Sequence, residues 1–274
     1  MRLFISADIE GIAGVATRDQ TMLDGFEYQS GRLWMTDTVV AACEAARAAG
    51  VKEVVVADSH GTHLNILPDR LPKFVQLVRG KPRPLGMVQG VEHGRFDGAL
   101  FLGWHTGSTH VSGVLGHTMQ GRVIREIRLN GRVVSEAGFY HPLIGHFGVP
   151  LIAISGDDQF VDETKGLVGD VEAAVVKWAY GTFAARTMTP EASYDLVAET
   201  TRRAIGRIGD FKPYRIEGEI VLEVSFKHRP PAEILSLLPQ VERVDGYTIR
   251  TRVPDMVAAA NFIVVTLAYN ASLA

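Results

Sequence analysis

The sequence predicts an α/β protein, a three-layer α/β/α arrangement around a largely parallel sheet, with a smaller C-terminal α+β part. Three observations carry that expectation. Short apolar runs recur at 3–7, 53–57, 98–102 and 150–154, a length and composition that suit buried strands. Helix-like segments alternate with them, as crossovers between parallel strands require. Past Thr187-Met188-Thr189-Pro190 the texture changes to a helix followed by a half-exposed alternating stretch, so a soft boundary near residue 188 divides the chain into 1–188 and 189–274.

Residues 3–9 read as a strand that delivers Asp8 and, after one more residue, Glu10. Side chains at i and i+2 of an extended chain share a face, so the two carboxylates project together before Gly11 turns the chain. Residues 33–49 form an alanine-rich helix stopped by Gly50, the residue expected just past a helix end. Residues 53–58 are a β-branched strand followed at once by Ser59 and His60. A short strand is expected at 75–78, and the apolar run 98–102 leads into Gly103-Trp104-His105.

Asn130-Gly131 between 123–129 and 133–134 is a hairpin signal, because both residues tolerate the positive φ that a tight turn needs. Ser135 caps a helix running to about Phe147, with Glu136 in its first turn. Residues 150–154 are a buried strand ending in Gly156-Asp157-Asp158, and 171–176 are one more. Thr189 and Pro190 open a helix to Arg207, residues 215–226 alternate, and 256–273 close the chain as an apolar helix. Asn261, Thr266 and Asn270 interrupt that helix, which reads as buried or in contact with another subunit.

With 46% hydrophobic and 22% charged residues and a net charge of -3, the composition is that of a globular protein without the basic footprint of a nucleic-acid binder. No nucleic acid and no membrane is expected as a partner. Cys43 is the single cysteine, which excludes an internal disulfide and leaves a packed thiol. Asp8 and Glu10 break the first apolar run too early for a secretory leader, so a cytoplasmic location is expected.

Asp-x-Glu alone is most often a solvated acidic turn. Here three predicted strands end within a few residues of groups that bind metal: Asp8 and Glu10, His60, and His105. Ligands of open α/β sheets bind beyond the carboxyl ends of the strands, where these segments would converge. Glu136 and His117 are candidates to complete the cluster. Carboxylates and imidazoles without thiolates suit Zn2+, with Mn2+ or Co2+ possible, and several carboxylates suit two ions with a bridging ligand. His63, His93 and His110 read as loop residues, His141 and His146 as helix packing. Asp58 reads as an acceptor orienting His60 or as a turn former, Asp157 and Asp158 as groups near the site or helix caps, and Arg32 as a surface residue.

Ser6-Ala7-Asp8-Ile9-Glu10-Gly11-Ile12-Ala13-Gly14, Asp58-Ser59-His60, Phe101-Leu102-Gly103-Trp104-His105, Gly116-His117-Thr118-Met119, Ser135-Glu136-Ala137-Gly138 and Ser155-Gly156-Asp157-Asp158 occur in this order through most of the first 190 residues. That series resembles the zinc D-aminopeptidases of the DppA type. The resemblance implies two zinc ions per subunit, with Asp8 as the bridging carboxylate, His60 and Glu136 completing one ion's ligands, and Glu10 and His105 the other's. It implies that His117 is the catalytic histidine and not a ligand, and that residues 1–188 hold the metal-binding catalytic part. It further implies removal of an N-terminal residue such as D-alanine from short peptides or amides through a dinuclear zinc-activated hydroxide, in a ring-like homodecamer. Trp104 stands where the family pattern has tyrosine, and the 106–112 loop departs from it, which leaves D- against L-preference open.

Three other readings compete with this one: an L-aminopeptidase or a phosphoesterase with a similar metal pair, and a non-catalytic peptide-binding component of dipeptide uptake. Against a phosphoesterase, the Asp-x-His and Gly-Asn-His-Glu elements of the calcineurin-like enzymes are missing. Gly11-Ile12-Ala13-Gly14 is also not a dinucleotide-binding G-x-G-x-x-G.

Overall fold

The computed structural model describes residues 1–270. Its strands are β1 (Arg2–Ala7), β2 (Glu53–Asp58), β3 (Val75–Val78), β4 (Gly98–Trp104), β5 (Ile124–Leu129), β6 (Arg132–Val134), β7 (Leu151–Asp157), β8 (Glu172–Gly181), β9 (Ala184–Thr187), β10 (Ile220–Phe226), β11 (Val241–Arg243) and β12 (Thr248–Val253). Its helices are α1 (Tyr28–Ala48), α2 (Glu136–His146), α3 (Asp158–Val168), α4 (Pro190–Gly206), α5 (Arg229–Leu235) and α6 (Met256–Asn270).

A seven-stranded sheet runs in the order β3-β2-β1-β4-β7-β8-β9, parallel throughout except for the last pair, β8 with β9. Its central strands β1, β2, β4 and β7 are largely apolar and buried on both faces because both faces are covered. Leu3 and Ile5 of β1, Val54 and Val56 of β2, and Leu100 and Leu102 of β4 face the layer that contains α1 and α4. Phe4, Val55, Ala57, Ala99 and Phe101 face the opposite layer, where α2 and α3 lie. The two-residue period of a strand thus feeds two cores from one run of side chains.

A second, antiparallel sheet runs β11-β12-β10-β5-β6. Strand β10 alternates buried and half-buried residues as the 215–226 pattern predicts, but pairing begins only at Ile220. The seven-stranded sheet ends at Thr187, while β5 and β6 belong to the sheet completed by residues 220–253. A cut at residue 188 would therefore pass through one sheet and not the other. The chain reaches β5 and β6 before it returns to finish the first sheet.

Helix α1 begins at Tyr28, earlier than the alanine-rich stretch suggests. Its first turn is secured by tertiary contacts that local propensity does not register: the Tyr28 hydroxyl donates to Asn65 Oδ1, and Gly31 packs against the Gln20 carbonyl. Asn130 and Gly131 have φ of 50° and 79°, the twist that closes a two-residue hairpin. Ser135 caps α2 by accepting from the Gly138 N–H. Asp157 and Asp158 are structural: Asp157 caps α3 and accepts the Val114 N–H, and Asp158 accepts the Ala179 N–H. Met256, Ala259, Ala260 and Ile263 of α6 are buried in the core that includes the second sheet and α2. Residues 271–273 of the expected last helix lie outside the described residues. Among the described residues no helix is long and apolar enough to cross a membrane.

Candidate metal centre

Strand β1 neighbours β2 on one side and β4 on the other, so the chain reverses its direction of winding there and a crevice opens at the carboxyl ends. Asp8 and Glu10 leave β1, His60 follows β2, and His105 follows β4 at this crevice. The β1 and β4 exits are knitted together: the Asp8 N–H donates to Leu102 O at 2.8 Å, and the Gly11 N–H to Gly103 O at 2.7 Å. Glu136, the first residue of α2, and His117, from the 105–123 connection, reach the same place.

Two groups of potential metal ligands result, Asp8 with Glu10 and His60, and His105 with His117 and Glu136, the ligand atoms of each lying within 4.8 Å of one another. Asp8 links them. Its Oδ1 lies 3.3 Å from His60 Nδ1 and its Oδ2 lies 3.5 Å from His105 Nε2. Glu10 Oε2 is 2.9 Å from His60 Nδ1, and Glu136 Oε1 is 3.6 Å from His105 Nε2 and 3.8 Å from His117 Nε2. The resemblance implies a division that pairs these groups across Asp8, His60 with Glu136 and Glu10 with His105. By distance alone, Glu10 lies closest to His60, and Glu136 to His105.

All three imidazoles are anchored by the ring nitrogen that faces away from the carboxylates. His60 Nε2 bonds Thr21 O at 2.8 Å, His105 Nδ1 bonds Thr106 O at 2.9 Å, and His117 Nδ1 bonds Leu115 O at 2.9 Å. Since a carbonyl only accepts, each anchoring nitrogen carries a proton, and the inward nitrogen is the one that can offer a lone pair once any second proton is displaced. His105 and His117 stack with centroids 4.1 Å apart and planes 11° apart. The Met119 N–H donates to Glu136 Oε1 at 2.6 Å.

The electrostatics of this buried cluster are unbalanced. Burial, and then the charge of Glu10, push the Asp8 carboxyl up to about 8. Burial would raise Glu10 as well, but the His60 imidazole overrides it and holds Glu10 well below the usual carboxylate range. Burial disfavours a charged His105, yet Glu136, Glu10 and Asp8 raise it to about 9. His60 is likewise raised well above an ordinary histidine by Glu10 and Asp8 against the effect of burial. Three carboxylates packed together are holding protons on their neighbours in place of another source of positive charge.

The donor set fits divalent cations of the zinc type. It is oxygen and imidazole nitrogen without thiolate, and His105 Nε2 is a buried atom with no hydrogen-bond partner. Atoms bound tetrahedrally at about 2.0–2.2 Å to one zinc lie roughly 3.3–3.6 Å apart. The His60–Asp8, His105–Asp8 and His105–Glu136 separations have that spacing.

Asp58 is the turn former of the two roles expected for it. Its carboxylate accepts the N–H groups of Asn65 and Ile66 and the Asn65 amide, fixing the loop that follows His60. Arg32 does not reach the ligand groups; it donates to the carbonyls of Leu64 and Asn65 and secures the same loop. Trp104 points away from the site, stacked on Phe101 and donating to Ser6 O. The departure from tyrosine there is a core substitution. His63 is not the solvated residue expected: burial and then the nearby Arg83 lower it to about 3. His141 does pack, stacked on Tyr214 at 5.3 Å.

Sequence reasoning missed Lys177 of β8. It is fully buried, lowered by burial to about 8, and donates to the carbonyls of Glu10, Ile12 and Val15. A charge inside the apolar run Val175-Val176-Lys177-Trp178 was the available signal.

A family model described as D-aminopeptidase, Peptidase M55, matches residues 1–265. A D-aminopeptidase of Bacillus subtilis (strain 168) is 32% identical over 262 residues, covering 94% of each chain. The solved structure described as Zn-dependent D-aminopeptidase DppA from Bacillus subtilis, a self-compartmentalizing protease, superposes with a TM-score of 0.93 at 30% identity, over 98% of this chain and 97% of that one.

Proposed function

The chain belongs to the D-aminopeptidase family, and from that premise we propose that it is a zinc-dependent aminopeptidase that removes an N-terminal D-residue, such as D-alanine, from short peptides or amides. The single observation that carries the reading is the buried Asp8 carboxylate, with one oxygen toward His60 and the other toward His105. We assign Asp8, Glu10, His60, His105 and Glu136 as the residues that would hold two Zn2+ ions, Asp8 shared between them, His60 and Glu136 completing one set and Glu10 and His105 the other, with Mn2+ or Co2+ able to substitute. When bound, the pair supplies a water of lowered pKa and polarises the scissile carbonyl.

The chain's own residues supply the rest. His117 is pushed below an ordinary histidine by burial and by His105, so near pH 7 it is neutral, with Nε2 free to take a proton. It accepts the proton of the attacking water and returns it to the leaving amine. Its anchor at Leu115 O sets which nitrogen does this. Met119 N–H holds Glu136 in place, and the buried carboxylates favour a substrate that arrives with a free amino group. Residues 1–188 carry all six of these side chains.

The solved relative described as self-compartmentalizing supports assembly of this chain into a homo-oligomer, which we take to be a ring-like decamer in the cytoplasm. Light scattering giving a monomer mass would remove that claim. The reaction is tested with D- and L-aminoacyl p-nitroanilides and dipeptides, using metal-free and zinc-loaded protein. Zinc-dependent release, faster on the D-series, is expected; no metal-dependent turnover on any substrate sinks the reading. His117→Ala should lower turnover by at least about a hundredfold with zinc still near two per chain.

A further inference from the structure

The ammonium of Lys177 lies beneath the turn that follows β1. It enters from β8, three strands away from β1 in the sheet order, with no solvent exposure. It is surrounded by backbone carbonyls, those of Glu10, Ile12 at 3.2 Å and Val15 at 2.6 Å. No carboxylate lies within ion-pair distance of it among the described residues. A buried cation without a counter-ion is costly to fold around. A methionine would fill the same space without that cost, so packing alone does not explain a lysine at this position.

Its contacts explain it better. The Glu10 carbonyl accepts from the Lys177 ammonium while the Glu10 carboxylate meets His60 Nδ1 at 2.9 Å. The same ammonium pins Ile12 and Val15, the residues through which the turn leaves. The ligand strand therefore has a fixed exit.

We propose that Lys177 is a positioning residue for the ion that Glu10 would ligate, holding the Glu10 turn in its ligating conformation. This rests on the two-ion reading above. It acts through Glu10 and touches neither substrate nor ion.

The test is zinc titration against a competing chelator, on metal-free wild type, Lys177→Met, Glu10→Gln and the double variant. Wild type should take up two ions per chain. Lys177→Met should bind one of them about 10–100-fold more weakly, the range for removing a group that orients a metal ligand, and leave the other unchanged. Glu10→Gln should weaken the same ion, and the double variant should be no worse than Glu10→Gln alone, because both changes act through one residue. A core defect would instead weaken both ions together. Wild-type affinities in Lys177→Met, equal loss at both ions, or losses that add in the double variant would each overturn the proposal.

Circular dichroism melting of the metal-free proteins reports the fold. Lys177→Gln, which keeps comparable length and two N–H donors without the charge, is the second variant, with an intermediate loss expected. Failure of both substitutions to fold would assign Lys177 to the core and overturn the positioning role. A wild type that binds no zinc would sink the two-ion reading itself, whereas two ions in wild type with an unaltered Lys177→Met sinks this inference alone.

Discussion

His141 shows how a single side chain sets a pH limit on the fold. It lies on the buried face of α2, 7% exposed, and burial lowers it to about 4. An unfolded histidine titrates near 6.5, so between those values the unfolded chain binds the proton that the folded one refuses. The stabilisation is complete above about 6.5 and is lost as pH falls through 4, on the order of 3 kcal/mol in all. His141→Phe, which keeps the stacking partner for Tyr214, should flatten the acid side of the stability profile measured by urea unfolding between pH 4 and 7. An unchanged slope would show that His141 is not the responsible group. Residue identity alone predicted packing for His141. It misjudged His63 because exposure in a turn depends on what folds back over it, here Arg83 and the chain near Gly80.

At the scale of elements, Gly11 is where β1 and β4 meet too closely for any side chain. An added Cβ would lie 2.0 Å from the Trp104 carbonyl oxygen and 2.5 Å from the Gly103 carbonyl carbon, backbone atoms that cannot rotate away. Gly11→Ala should destabilise the protein by roughly 3 kcal/mol or more, read as a lower denaturant midpoint, and should lower zinc affinity because Asp8 and Glu10 shift with it. Wild-type stability would show that the two exits can part. The elements that were legible in sequence are those whose apolar run is clear, β1, β2, β4 and β7, together with the Ser135-capped start of α2 and the Pro190 start of α4. β9, α5, β11 and β12 are short and carry exposed polar residues among the apolar ones, so no unbroken apolar period announces them. The candidate ligands were legible as candidates because they directly follow strands. Which carboxylate lies nearest which imidazole was not, since it depends on which side of β1 each neighbouring strand lies.

For the whole molecule, the winding order decides where function can sit. The reversal at β1 places residues 8, 10, 60 and 105 at one mouth, and the excursion through β5, β6 and α2 brings Glu136 to it before β7, β8 and β9 complete the sheet. The carbonyls of Thr21, Thr106 and Leu115 that fix the three imidazoles come from connections on different sides of that mouth, so the site is a property of the assembled chain and of no single segment.

Those three anchors, together with the crowded carboxylates, also govern the protein's charge. Asp8 near 8 and His105 near 9 retain protons at pH 7 when metal is absent, and cations entering the cluster must displace them. Loading is then an exchange, and the molecule gains less positive charge than the ions bring. Calorimetric titration in buffers of different ionisation enthalpy should give apparent heats that differ by the buffer's contribution for at least one proton released per chain. Heats independent of buffer would show that the empty site holds no exchangeable protons.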